Sequence, residues 1–199
     1  GNTDRLNQRE LTGDLPHHDL VEEEGRIEWV MYFRQLKAIG YPLHTVVSDG
    51  NPEIPRAARF VYGAQIIHQL CTRHFTEGLG KLLPPNDEGH RTERQYLEVL
   101  ITMMQRVIEA ETMEDASERL LDLTTYRRSI RSRTATIMIN RLQSSKEELC
   151  AHLLHPELKL PHTNNDAENL IRQLNQRLKT ISRFMSWRSA REYCNAWAL

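Results

Sequence analysis

The stretch Val46-Val47-Ser48-Asp49-Gly50 decides the fold of this chain. Two β-branched residues followed by an acid and a glycine are typical of a short buried strand that ends in a turn. We expect the strand to begin at about His44 and to deliver the carboxylate of Asp49 at its tip.

Helices are predicted on both sides of this strand. Apolar residues recur at helical spacing from about Leu20 to Ile39, and the prolines after the strand predict a second helix that ends at Gly63. Ala64 to Leu70 then reads as a second strand, leading into a helix from about Cys71 to Leu82. This order, with short connections, predicts parallel neighbouring strands in an α/β layer, with ligand chemistry at their carboxyl ends.

The remainder of the chain has helical periodicity almost throughout. Candidate helices span Thr92 to Glu111, Met113 to Tyr126, Thr134 to Leu154, Asn165 to Ser182 and Ser186 to Trp197. We therefore divide the chain into a loop or poorly ordered segment (1–19), the first part of an α/β core (20–83), a helical insertion (84–162) and closing helices (163–199).

Composition is that of an ordinary soluble protein. Of the 199 residues, 39% are hydrophobic and 27% are charged, and no apolar run reaches membrane-spanning length. The three cysteines are widely spaced, which makes a disulfide framework improbable and favours a reducing compartment. No signal peptide opens the chain, so we expect a cytoplasmic protein that does not bind a membrane.

The net charge of -1 conceals two acid-free basic runs. The first run contains Arg127, Arg128, Arg131, Arg133 and Arg141, and the second contains Arg172, Arg177, Lys179, Arg183, Arg188 and Arg191. Such runs predict a positive side suited to a polyanion such as DNA. Solvated helix faces explain either run equally well when it is taken alone.

A second carboxylate motif, Thr163-Asn164-Asn165-Asp166-Ala167-Glu168, opens the first closing helix. Glu168 stands at the rim of the apolar stripe and heads a basic track that includes Arg172, Lys179 and Arg183. A carboxylate at a metal ion, followed by cations that contact phosphates, suits nucleic-acid chemistry. Helix capping through Asn165 and an i,i+4 ion pair between Glu168 and Arg172 explain the same residues, and are favoured on this segment alone.

Asp49 and Cys71 also have structural explanations. Asp49 could accept backbone hydrogen bonds in a turn and cap the helix that follows. Cys71 and His74 make half of a zinc site, but no second pair has suitable spacing, and burial of Cys71 with a hydrogen-bonded His74 explains both.

Taken together, these segments resemble the catalytic core of DDE transposases of the Mutator-like type, which have a ribonuclease H-like fold. The resemblance rests on Val46–Gly50, on Ile54, Ala57 and Ala58, on Gln69–His74, on Thr163–Glu168, and on the tail Arg177–Lys179, Arg183–Phe184 and Ser186–Ala190. It implies a partial ribonuclease H-like core with few parallel strands, flanked by helices and carrying a long helical insertion.

The resemblance also implies a function and a site. Asp49 would be the second acid of the catalytic triad and Glu168 the third, together holding two Mg²⁺ or Mn²⁺ ions for DNA cleavage and strand transfer. Cys71, His74, Asn164 and Asn165 would support the active site. DNA contacts would come from Arg128, Arg131, Arg172, Lys179 and Arg183, and assembly into a homo-oligomer on DNA is implied as well.

The chain departs from the family pattern at its start. The first triad acid would need a strand ahead of the first helix, and residues 1 to 19 contain no strand-like run. We therefore expect a core that lacks this acid and part of the sheet, and that can be inactive for this reason. The alternatives are a DNA-binding or assembly remnant without catalysis, another ribonuclease H-like nuclease, or an unrelated helical α/β protein.

The transposase interpretation makes one geometric prediction. The carboxyl groups of Asp49 and Glu168 should lie within about 4–7 Å of each other, because both must reach ions roughly 3.5–4 Å apart. A separation above about 12 Å would leave capping as the explanation for both.

Overall fold

The computed structural model describes residues 25–128 and 131–163, together with eight isolated helical positions farther along the chain. These positions are Asn165, Asn169, Arg172, Gln173, Gln176, Arg188, Ser189 and Glu192. The chain divides into two compact units. We call Thr45–Pro55 with Ile67–Asn164 the strand–helix unit, and Gly1–His44, Arg56–Ile66 and Asn165–Leu199 the flanking unit.

In the flanking unit, helix α1 (Arg26–Ala38) confirms the first predicted helix over its described length. It buries Phe33 and Leu36, whereas Ile27 and Ile39 of the same predicted stripe are exposed. The Lys37 ammonium donates to the carbonyl of Val61 at 2.7 Å, near the end of helix α2 (Glu53–Tyr62). This contact ties the ends of the two helices together.

The strand–helix unit contains two short strands, β1 (Thr45–Ser48) and β2 (Ile67–Leu70). They pair in parallel, with Thr45 opposite Ile67 and Ser48 opposite Leu70, so the predicted parallel arrangement is confirmed. The second strand begins later than predicted, because Gly63 has a φ of +114° and starts a turn in which the Ile66 amide donates to the Gly63 carbonyl at 3.4 Å. Within the described ranges, the sheet consists of these two strands.

Helices make up the rest of the strand–helix unit. They are α3 (Thr72–Gly80), α4 (Arg91–Ile108), α5 (Met113–Arg127), α6 (Arg133–Leu149), α7 (Ala151–Leu154) and a 3-10 turn at Pro156–Leu158. Two begin at side-chain caps: the hydroxyl of Thr112 accepts from the Asp115 amide, and that of Ser132 accepts from the Ala135 amide. The single helix predicted over Thr134 to Leu154 is wrong, because the backbone at Cys150 (φ −102°, ψ 16°) separates α6 from α7.

The core of this unit is formed mainly by α4, α5 and α6. Its largest fully buried apolar side chains are Leu79, Leu97, Leu100, Met104, Val107, Leu123, Met138, Leu142 and Leu149. Strand β2 contacts α6 and α7, so the sheet is attached to the end of the helical core. The protein is thus mixed α/β and mostly helical, as the sequence predicts at that level.

None of the helices in the described part of the chain combines the length and the apolar character that a membrane span requires.

Candidate functional site at the strand ends

Asp49 lies exposed immediately after β1. One of its carboxylate oxygens accepts a long hydrogen bond, 3.4 Å, from the Asn51 amide. The side chain of Asn51, in turn, accepts from the Glu53 amide at 3.0 Å, at the start of α2. The capping role that the sequence left open for Asp49 therefore belongs to Asn51.

Gly50 makes the turn after Asp49 possible. Its φ of +106° is in the region that favours glycine, and a Cβ added there would come within 3.5 Å of the Leu70 side chain. The strand tip therefore turns sharply and leaves the Asp49 carboxylate at its outer side.

Cys71 and His74 lie at the end of the neighbouring strand. The Cys71 amide donates to the carbonyl of Ser48 at 2.8 Å, which continues the parallel ladder by one residue. The buried thiol of Cys71 is 3.3 Å from Nδ1 of His74, one turn into α3. The two strand ends thus form one edge, which we call the carboxyl edge, carrying Asp49 on one strand and the Cys71–His74 pair beside it.

A buried polar chain lies directly behind this edge, and the sequence did not reveal it. The Ser48 hydroxyl is 2.8 Å from Nε2 of His68, and Nδ1 of His68 is 3.0 Å from a carboxylate oxygen of Glu148. The second contact is close but does not meet the geometry of a hydrogen bond. In the sequence, only a serine and a histidine on the two predicted strands hinted at this contact. The acid, Glu148, comes from α6, far along the chain.

Gln69 is a second group that sequence reasoning missed. Its side chain is fully buried, donates to the carbonyls of Leu70 at 2.9 Å and Leu149 at 3.1 Å, and accepts from the His152 amide at 3.0 Å. One side chain therefore replaces the backbone partners that are lost where α6 gives way to α7.

A pair of tilted histidine rings completes the surroundings of the edge. The rings of His152 and His162 have centroids 3.8 Å apart, and His152 is buried, with no hydrogen bond from either ring nitrogen to a residue that the structure describes. Burial, together with the nearby His162 ring, lowers the pKa of His152 below its usual value, and the Leu149 backbone opposes this in part. Burial therefore favours the neutral form of this ring.

The chain returns to the carboxyl edge at His162. Its carbonyl accepts two hydrogen bonds from Thr72, one from the amide at 3.0 Å and one from the hydroxyl at 3.1 Å. The segment that leads into the second carboxylate motif is thereby fixed next to the end of β2.

The second motif itself is described only at Thr163 and at Asn165, which is exposed and helical. Asn164, Glu168, Lys179 and Arg183 lie outside the described residues, as do residues 1–19 at which the first acid was sought. The Asp49–Glu168 separation and the capping alternative at Glu168 consequently stay predictions. The guanidinium of Arg172 donates to the Asn169 side chain at 2.9 Å on an exposed helical face.

Arg128 and Arg131 lie together where α5 gives way to α6. They line a surface depression with Arg127, Ser132, Arg133 and Thr136. We call this the arginine cleft. Arg127 donates to the Thr136 hydroxyl at 2.6 Å, which holds one guanidinium in place, whereas Arg128, Arg131 and Arg133 are exposed.

The donors near the carboxyl edge suit a hard divalent cation only in part. Asp49 offers oxygen ligands of the kind that Mg²⁺ and Mn²⁺ prefer. Among the residues that the structure describes, however, no three His, Cys, Asp or Glu side chains come together as a metal-binding group. The Cys71–His74 pair is therefore not part of such a group within these residues. A complete cation site at Asp49 therefore needs ligands from beyond the described residues.

No family model, curated protein or solved structure matches the chain.

Proposed function

We propose that this chain belongs to the catalytic core of a DDE transposase of the Mutator-like type and takes part in metal-dependent cleavage and transfer of DNA strands. The observation that carries the proposal is the exposed carboxylate of Asp49 at the carboxyl edge of a parallel strand pair. In open α/β sheets this edge is where ligands bind.

The local hydrogen bonds support a role for Asp49 beyond the turn. Asn51 caps α2, and Asp49 accepts only a 3.4 Å bond from the Asn51 amide within its turn. A carboxylate that is not needed as a cap is available to an incoming cation, whose attraction is stronger than that of one long hydrogen bond from a neutral amide.

The path of the chain supports Glu168 as the partner acid. His162 is fixed to Thr72 at the carboxyl edge, and Glu168 follows six residues later in the sequence. Six residues span at most about 20 Å when fully extended and about 9 Å when helical, so the length of the connection allows the proposed pairing.

In this proposal, Asp49 and Glu168 hold Mg²⁺ or Mn²⁺. When bound, such ions activate the attacking hydroxyl and stabilise the leaving oxygen of an in-line displacement at phosphorus. The protein would hold the two carboxylates and the DNA backbone in fixed positions relative to one another.

The arginine cleft supports DNA as the partner. Four guanidinium groups beside one depression can form paired hydrogen bonds with successive phosphates, and such contacts fix the register of DNA without reading its sequence. The cleft also favours a second candidate function, DNA binding or assembly without strand transfer, because it does not depend on Asp49.

Nicking of supercoiled plasmid in Mn²⁺ tests the proposal without knowledge of transposon ends, and binding of Mn²⁺ by electron paramagnetic resonance tests the site itself. We expect Asp49→Asn to bring both to background, whereas the matched control Asp122→Asn, on the exposed face of α5, leaves both unchanged.

Two results would speak against catalysis at Asp49. Nicking and Mn²⁺ binding that survive Asp49→Asn would remove Asp49 from the site. DNA binding that weakens steeply with salt, without any nicking or Mn²⁺ binding by the unaltered protein, would favour the second candidate function.

A further inference from the structure

The helical region is attached to the end of β2 by residues 159–163, which we call the return segment. The His162 carbonyl accepts from the amide and the hydroxyl of Thr72, at 3.0 and 3.1 Å. The exposed ring of His162 lies against the buried ring of His152, with centroids 3.8 Å apart, and Leu160 of the same segment is buried. Two hydrogen bonds, a ring contact and an apolar side chain therefore hold the return segment at the sheet.

The return segment begins with a backbone conformation that lysine disfavours. Lys159 has a φ of 48° and a ψ of 45°, in the left-handed region where a side chain crowds the following carbonyl. A residue keeps such a conformation only when the contacts around it hold it there. The closed position of the segment thus depends on the contacts of Leu160 and His162, and weakening either of them favours release.

His152 is the part of this attachment that responds to a proton. The residue is 9% exposed, its amide donates to the Gln69 side chain at 3.0 Å, and neither ring nitrogen has a hydrogen bond to a described residue. A charged ring in this position would have neither water nor a hydrogen-bond partner, which costs far more than burying the neutral ring. Because the His162 ring lies against it, moving the return segment outward exposes His152 to water.

The charge of His152 depends on its neighbour His162 and on no acid that the structure describes. Burial and the His162 ring both disfavour a proton on His152. Glu148 and Glu157, the acids on either side of this stretch of chain, each lie beside a different histidine. Burial raises the pKa of the Cys150 thiol, so this group, two residues earlier, supplies no negative charge either. A proton on His152 therefore has no counter-charge among these groups while the segment is closed.

We propose that His152 and His162 form a pH-sensitive switch, in which a proton on His152 releases the return segment from the end of β2. The step takes one proton from the solvent and breaks the two Thr72 hydrogen bonds and the ring contact. It uses neither Asp49 nor a metal ion, so it stands or falls independently of the proposed function.

The direction and the size of the pH effect follow from proton linkage. The released ring takes up its proton at about pH 6.5, the usual value for histidine, whereas the pKa of the closed ring is lowered. Release is therefore suppressed at neutral pH, and the ratio of released to closed forms rises by up to about tenfold for each pH unit below about 6.5. The rise levels off once His152 is protonated in the closed form too.

Hydrogen exchange at two consecutive amides measures the switch in the unaltered protein. The Thr72 amide donates to His162 in the return segment, whereas the Cys71 amide donates to Ser48 at 2.8 Å within the strand pair. We expect the Thr72 amide to be less protected than that of Cys71. After correction for the intrinsic exchange rate, its protection should fall by up to about tenfold per pH unit below about 6.5. Low concentrations of urea should leave this exchange unchanged, because local release exposes little surface.

Two variants and a matched control assign the proton. His152→Phe keeps an aromatic ring against His162 but cannot take up a proton, so protection at Thr72 should become independent of pH. His162→Phe retains His152 and should retain the pH dependence. The control is His155→Phe, which replaces a half-buried histidine that lies beside Glu157, and it should behave as the unaltered protein does.

Three results would overturn the inference. Protection at Thr72 that does not change between about pH 7 and 5 would show that the attachment does not respond to His152. Protection at Thr72 that falls with urea in step with that of Cys71 would show that the ring titrates only when the whole unit unfolds. A pH dependence that persists in His152→Phe, or is lost in His162→Phe, would assign the proton to another group. Should His152→Phe not fold, the two measurements on the unaltered protein decide.

Discussion

The helical core and the carboxyl edge of the strand–helix unit are built in opposite ways. The core between α4, α5 and α6 is apolar, with Leu97, Leu100 and Met104 fully buried. By contrast, four of the five buried polar residues in the described chain lie where the strands meet α6 and α7. These four are Ser48, His68, Gln69 and His152.

The difference shows where this fold needs precise geometry. Apolar contacts are not directional, so the helical core tolerates small shifts and volume-conserving substitutions. Buried hydrogen bonds are directional and costly to leave unmade, and they fix the strand tip relative to α6. The core therefore contributes stability, whereas the polar edge contributes orientation.

The largest effect should come from the apolar side. We expect Leu100→Ala to lower the free energy of unfolding by about 2–5 kcal/mol, because it removes buried methyl groups and leaves a cavity. Urea denaturation measures this, with Val99→Ala as the matched control on the same helix, since Val99 is 47% exposed. An equal loss in both variants would contradict the burial pattern of α4.

An intermediate effect is expected at Gln69. Gln69→Leu keeps the volume but removes the partners of the Leu149 carbonyl and the His152 amide, and we expect a loss of about 2 kcal/mol in unfolding free energy. The control is Gln143→Leu on the exposed face of α6. If Gln69→Leu proves neutral or stabilising, the polar edge does not depend on this amide.

The smallest effect concerns pH and His152. Because the pKa of His152 is lowered in the folded protein, the unfolded chain takes up a proton that the folded ring does not, and stability falls as pH decreases below about 6.5. The loss levels off once the folded ring is protonated too. His152→Phe should reduce this pH dependence, as measured by the melting temperature between about pH 5 and 8, whereas His44→Phe at an exposed position should not. Identical pH profiles for His152→Phe and the unaltered protein would show that this ring is not the group that titrates.

Local patterns in the sequence predicted much of the fold. The β-branched run before Asp49, the stop at Gly63 and the apolar periodicity of the helices each act within a few residues, so the parallel strand pair and most helix limits followed from them. Local patterns did not predict the break at Cys150, because apolar periodicity continues through it.

The sequence did not predict the buried polar groups, for a different reason. A glutamine or a histidine in a strand usually faces water, and only contacts far apart in sequence make Gln69 and His68 internal. Gln69 meets Leu149 from 80 positions away. At the candidate site, the sequence predicted Asp49 from its place after the first strand. It could not predict the contacts among Ser48, His68 and Glu148, because they depend on how α6 packs against the strands.

The two hydrogen bonds between Thr72 and His162 join positions 90 residues apart, one at each end of the helical region. The helical region thus begins and ends next to the same strand end, that of β2. A segment with coincident ends can grow, shrink or be exchanged for another during evolution without displacing what lies beneath it. Gln69 nevertheless ties the strand pair to the end of α6 and the start of α7, so changes of length are expected in the parts of this region that lie away from the sheet.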